Sequence, residues 1–146
     1  MSLLSVSNGV FIMLTDLQIG YIAGIIDGEG SVCLTRNAPN EHRSPALSVS
    51  STTKEMLDYL KENLGGSIST AKKYKESHKD AWHWNIRGNK AIEILTIIEP
   101  YLLVPEKKKR AKLIIDEYKS VTPRNGKYST EMLEKKLDFE KRFFEI

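Results

Sequence analysis

Cysteine is nearly absent: Cys33 is the only one in 146 residues. An intrachain disulfide is therefore excluded, as are a zinc ribbon and a CxxC redox pair. We expect an intracellular protein, of a prokaryotic cytoplasm or an organelle matrix. Long apolar runs are missing too, since stretches such as 10–14 and 21–26 fall far short of the roughly 18 to 20 residues that a membrane span needs. The N-terminus lacks the basic start of a signal peptide, so no membrane partner is expected. The three histidines, His42, His78 and His83, stand in no CxxC or HExxH context, which makes His83 a surface contact rather than a zinc ligand. Residues 1–14, MSLLSVSNGVFIML, show neither helical nor strand period and read as an N-terminal extension, with Met13 as an alternative start.

What is present suits one domain over residues 15–146, because a chain that is 40% hydrophobic and 28% charged can bury a core of its own. The net charge of +3 is modest, but its distribution is uneven. Residues 72–90 hold six basic side chains against Glu76 and Asp80, and 107–112 hold five with no acid. A basic middle on a near-neutral body points to a polyanion, although a solvated lysine face has the same composition.

Thr15 followed by Gln18 is a capping-box signature for a helix over about 16–28. SVCLTRN and ALSVSS alternate as two strands around a loop with Pro39 and Pro45. Thr52 with Glu55 predicts a second capping box opening KEMLDYLKENL, which Gly65-Gly66 ends. SISTAKKYK and AWHWNIRG predict a second hairpin. Gly88 or Asn89 then starts a third helix, broken by Pro100 and Pro105, and helices over about 107–121 and 129–144 follow. The order predicts an α+β fold: an αββαββα core with a four-stranded antiparallel sheet backed by helices, plus C-terminal helices from about 107. One sheet face stays open. Alternation places Cys33, Thr35, Asn37, Ser48, Ser50, Ser69, Lys73, Lys75, His83, Asn85 and Arg87 there, rich in hydrogen-bonding groups and without acids. That composition favours nucleic acid over plain solvent.

The helix IGYIAGIIDGEG carries Gly20, Gly24 and Gly28 at four-residue spacing, with Ala23 beside them. Each interior glycine costs roughly 0.5 to 1 kcal/mol relative to alanine. A stripe without side chains lets another backbone approach closely. Its partner is either this chain's own core or the same stripe on a second copy, across a twofold axis. In the second case Asp27 and Glu29 of both copies gather near the axis and require cations. Hard divalent ions, Mg²⁺ foremost, suit such oxygen ligands together with a phosphate. Asp27 has an alternative role as a cap of the adjoining turn. Other motifs fail on spacing: Gly30-Ser31 lacks the lysine of a phosphate-binding loop, and an EF-hand from Asp27 would place Val32 and Ala38 where glycine and glutamate are needed.

YIAGIIDGEGSV resembles the signature of the LAGLIDADG homing endonucleases, residues 22–30 matching that nonapeptide position by position. SVSSTTKEMLDYLKENLGGSI, WHWNIRGNKAIEIL and PYLLVPEKKKRAKLI extend the similarity over roughly residues 16–120. The resemblance implies a saddle-shaped sheet on duplex DNA and motif helices packed at a twofold interface. Because the motif occurs once, it implies a homodimer on a long pseudo-palindromic site. It makes Glu29 the metal ligand, where aspartate is commoner, with the Gly28 carbonyl assisting. It makes Lys107 the catalytic lysine by register with Ala111, with Lys108 and Lys109 adjacent. A glutamine common in relatives falls near Ser51, a departure that weakens any water-positioning role there.

The activity so implied is Mg²⁺-dependent hydrolysis of one phosphodiester on each strand, an endonuclease of intron or intein homing. Mn²⁺ is expected to substitute and Ca²⁺ to support binding without cleavage, with no small-molecule cofactor. The alternatives are a DNA-binding regulator or RNA-splicing maturase that lost cleavage, and a structural dimerisation module.

Overall fold

The structure, a computed structural model, describes residues 2–6, 10–71 and 80–146, with side chains from residue 13 onward. Strand β1 (Ser2–Val6) pairs antiparallel with β2 (Val10–Leu14), in register from Ser2 opposite Leu14 to Val6 opposite Val10. This corrects the expectation that residues 1–14 lack strand structure. VFIML is apolar throughout, so it carries no alternation for a period to register, yet its backbone ladder forms. The hairpin lies against helices described below, and Leu14 is fully buried in the core.

Helix α1 (Asp16–Glu29) begins at the expected capping box: the Gln18 N–H donates to Thr15 Oγ1 at 3.1 Å, and the Thr15 N–H to Gln18 Oε1 at 2.9 Å. Its buried side is Ile19, Ile22, Ala23, Ile25 and Ile26. The helix passes into β3 (Gly30–Thr35) with no intervening residue. Only glycine fits that junction, because a Cβ on Gly30 would stand 2.8 Å from the Ile26 Cα.

Strand β4 (Ser44–Ser51) leads to α2 (Lys54–Leu64). The predicted Thr52–Glu55 box does not form. The N-cap is Thr53 without a side-chain cap bond; instead the Thr53 N–H donates to Ser51 Oγ at 3.0 Å, so a bend one residue later takes over the start. Gly65 and Gly66 end α2 with positive φ, as their spacing predicts. β5 (Ser67–Thr70) and β6 (Trp82–Arg87) complete a sheet of order β3-β4-β6-β5, antiparallel throughout. Leu47 and Trp84 are fully buried at its centre, the Trp84 indole N–H donating to the Gly65 carbonyl at 2.9 Å.

Helix α3 (Asn89–Ile98) packs on β4 and β6, and a 3-10 turn, Glu99–Tyr101, follows it. Pro105 does more than break α3: it is the first residue of α4 (Pro105–Glu117), where its missing N–H is no loss. After a 3-10 turn at Lys119–Val121 and a loop, α5 (Thr130–Phe144) starts at its Ser129 cap, whose Oγ accepts from the Met132 N–H. α1, α2 and α3 back one sheet face, α4 lies along β3, and α5 packs on α4. β1 rests on α3 and β2 on α2. The chain is thus α+β, with a four-stranded antiparallel sheet backed by helices on one face.

Among the described residues one charged group lies fully buried. Lys136 of α5 donates to Thr122 Oγ1 at 2.8 Å, with its ammonium 4.1 Å from the Tyr118 ring centroid. Burial pulls its pKa down to about 8, with the nearby Glu140 opposing the fall. Burial pushes the Tyr118 and Tyr128 hydroxyls up, partly offset by hydrogen bonds to the same Thr122.

Candidate nucleic-acid interface and metal site

The open face of the sheet is ordered in rows that strand register dictates. Ser31, Ser48, Asn85 and Ser67 line up across all four strands, Cys33, Ala46 and Arg87 across three, and Ser50, His83 and Ser69 form a third row. Ser50 Oγ and His83 Nδ1 share a hydrogen bond at 2.8 Å, and the Arg87 guanidinium donates to Asn37 Oδ1. Thr35 stands opposite Ser44 at the far end of β3. Every predicted face residue within the described part is brought together here; Lys73 and Lys75 lie outside the described residues. Ser31, Ser44, Ala46 and Ser67 were missed. Their parity matches Cys33, Ser48 and Ser69, so counting each strand from its true first residue finds them. No acid stands in these rows. Burial pushes the Cys33 thiol up, and the Arg110 guanidinium of α4 draws it back.

The near end of β3 is where α1 finishes, and three groups converge there. Both oxygens of Asp27 accept backbone N–H groups at the start of α4, from Leu103 at 2.9 Å and Val104 at 3.0 Å. Asp27 is thus the cap of that turn, the second of the two roles its position allows. Lys107 reaches back and donates to the carbonyls of Ile26 at 2.9 Å and Asp27 at 2.7 Å. A cation there satisfies orphan carbonyls at the negative end of a helix dipole. Lys108 turns elsewhere, to the Glu99 carbonyl at 2.8 Å and its carboxylate at 3.3 Å, and Lys109 is exposed. Of the three lysines, then, geometry brings Lys107 to the motif. Glu29 is exposed at the last position of α1, beside Gly28.

The Glu29 carboxylate and the neighbouring Gly28 carbonyl are hard-oxygen donors, which fit Mg²⁺ or Ca²⁺ and not a soft metal. One chain does not supply a full shell: among the described residues no three His, Cys, Asp or Glu side chains gather as a metal site. The remaining donors would come from phosphate, water or a second copy.

Gly20, Gly24 and Gly28 face outward, and a Cβ added to any of them meets nothing within 4 Å. Packing against this chain's own core is therefore not their role. Leu17 (88% exposed) and Tyr21 (53%) flank the stripe, and Leu103 (84%) stands where Asp27 holds its N–H. Sequence reading missed these three apolar side chains. Ala23 corrects in the other direction: one position before Gly24 is about 100° around the helix, and it is buried inside the protomer.

No protein-family model and no curated protein matches the chain. Among solved structures it is similar to the homing endonuclease I-CvuI in complex with its target in the presence of Ca, with TM-score 0.66 and 18% identity over 87% of this chain and 80% of that one. Another structure of I-CvuI, with TM-score 0.66, holds uncleaved DNA in the presence of Mg. The archaeal intron-encoded homing endonuclease I-Vdi141I, complexed with DNA, matches with TM-score 0.54 and 18% identity over 86% of this chain and 84% of that one. The LAGLIDADG homing endonuclease I-LtrWI, bound to target DNA, matches with TM-score 0.61 and 21% identity over 89% of this chain, but only 45% of its own length.

Proposed function

From the fold it shares with the LAGLIDADG homing endonucleases, we propose that this chain is a single-motif homing endonuclease. It works as a homodimer that cuts both strands of a long pseudo-palindromic DNA site. The observation that carries this reading is the arrangement at the end of α1, where the α4 lysine Lys107 is held on the Ile26 and Asp27 carbonyls, three and two residues before exposed Glu29, beside an acid-free polar sheet face.

The residues divide the work as follows. The outward glycine stripe, with Leu17, Tyr21 and Leu103, is the surface on which two protomers cross. That crossing brings both copies of Glu29 and of the Gly28 carbonyl together as ligands for Mg²⁺, or for Mn²⁺ in its place. A divalent cation bound there supplies charge neutralisation at the scissile phosphate and lowers the pKa of its water. Lys107, held on the α1 carbonyls, stays poised to offset charge that develops on the phosphate oxygens. The sheet enters the major groove, as a two-stranded ribbon does, with Ser48, Ser50, His83, Asn85 and Arg87 toward base edges. Eight residues of β4 at about 3.3 Å each span about 26 Å, on the order of eight base pairs per protomer.

The test is Glu29→Gln, assayed by sequencing the fragments released from a randomised duplex library. Mg²⁺-dependent cutting should be abolished, while duplex binding in Ca²⁺ stays largely intact. Cutting at the unmodified rate would remove Glu29 from the chemistry. A wild-type protein that binds selected duplexes but never cuts them would favour the regulator or maturase alternative.

A further inference from the structure

The β3–β4 loop, residues 36–43, lies beyond the last sheet pair, Thr35 with Ser44. It is at the end of β3 opposite Glu29, separated from it by the six residues of the strand and so by about 20 Å. It offers Arg36 and Asn37, side chains suited to guanine and adenine edges. The loop closes on itself: the Asn37 N–H donates to Glu41 Oε2 at 3.1 Å, the Arg36 guanidinium to the Pro39 carbonyl at 3.2 Å, and the Glu41 N–H to the Ala38 carbonyl at 3.0 Å. Arg87 of β6 holds its first end through Asn37 Oδ1, and its other end has an anchor of its own.

That anchor comes from the far end of the sequence. Glu140 of α5 accepts the Arg43 N–H at 3.3 Å, across 97 residues of chain. The Arg43 guanidinium lies 5.0 Å over the Phe144 ring, and the His42 ring packs 4.1 Å from that of Tyr128. On the same helix, buried Lys136 donates to Thr122 Oγ1 and lies over the Tyr118 ring. α5 packs on α4 and on the 3-10 turn that follows it. Its Arg142 pairs with both carboxylate oxygens of Glu117 on α4 and its Lys136 with Thr122, while Glu140 reaches Arg43, where this loop re-enters β4. Its Phe144 ring holds the guanidinium of half-buried Arg43, while Arg36 and Asn37 are exposed on the loop together with Asn40, Glu41 and His42.

Resting on the proposed DNA-cleaving reading, we propose that α5 is a specificity brace: Glu140 and Phe144 are positioning residues that set the 36–43 loop and thereby the base preference at the outer edge of each half-site.

The experiment compares wild type, Glu140→Ala, Glu140→Gln and Phe144→Ala as full chains. Each is bound in Ca²⁺ to a randomised duplex pool, and base preference is read at every position by sequencing. Glu140→Ala and Phe144→Ala should weaken preference at the outermost positions by about five-fold or more, one mismatch's worth of discrimination. Central positions should be unchanged, as should the cutting rate at saturating duplex. Glu140→Gln keeps a carbonyl acceptor for the Arg43 N–H and should retain the wild-type profile, which also covers the case that the alanine variant fails to fold. Uniform loss over all positions in Phe144→Ala, or an unchanged profile in both truncations, would overturn the brace while leaving the endonuclease reading standing. A wild type that selects no sequence would overturn both.

Discussion

Lys107 and Lys136 show how differently one residue type is used in this chain. Both reach a polar partner in the protein, but Lys107 caps the α1 carbonyls from a half-buried position, whereas Lys136 is fully enclosed among Tyr118, Phe139 and Thr122. The second has a consequence for stability. Its folded pKa of about 8 lies below the unfolded value near 10.5, so between those values the unfolded chain binds more protons and stability rises with pH. Denaturant unfolding should therefore show a gain of about 1 to 2 kcal/mol between pH 7.5 and 9.5, absent from Lys136→Met. A flat profile in the wild type would contradict the buried charge. The burial of Lys136 was not legible in EKK, because a run of like residues says nothing about which one turns inward. Register with Ala111 selects Lys107, and the structure supplies the physical reason: Lys108 is taken by Glu99.

At the scale of elements, capping chemistry and alternation made α1, β3, β4 and β6 legible, and paired glycines fixed the end of α2. The N-terminal hairpin was hidden because its second strand is apolar on both faces, and the helix expected from about 107 starts two residues earlier because proline reads as a stop as readily as a start. The glycine helix gives the sharpest element-scale prediction. Since a Cβ at Gly24 meets nothing within 4 Å, Gly24→Leu should leave the protomer fold intact and even raise helix propensity by roughly 0.8 kcal/mol. Assembly should suffer instead. Sedimentation should report half the wild-type mass with unchanged circular dichroism, and an undisturbed dimer would count against the stripe as the interface.

For the whole molecule, the charge pattern matters more than the net +3. An acid-free sheet face with cations at its margins should bind duplex with a steep salt dependence. If each dimer meets six to ten phosphates, affinity should fall by about 10³ to 10⁵ between 50 and 200 mM salt. A shallow slope in titrations at several ionic strengths would mean that phosphate contacts are few. The face itself was readable from sequence because alternation assigns it residue by residue. The loop anchor from α5 was not, since nothing local links Arg43 to Glu140.

The junction at Gly30 carries one more implication. With no linker between α1 and β3, the helix proposed to join two copies and the strand proposed to touch bases run directly into one another through a tight glycine junction, like a single lever. A pair of such levers behaves as a caliper with a fixed gap. One base pair added between the half-sites shifts them by about 3.4 Å and turns them by about 35°, and the protein has no swivel with which to follow.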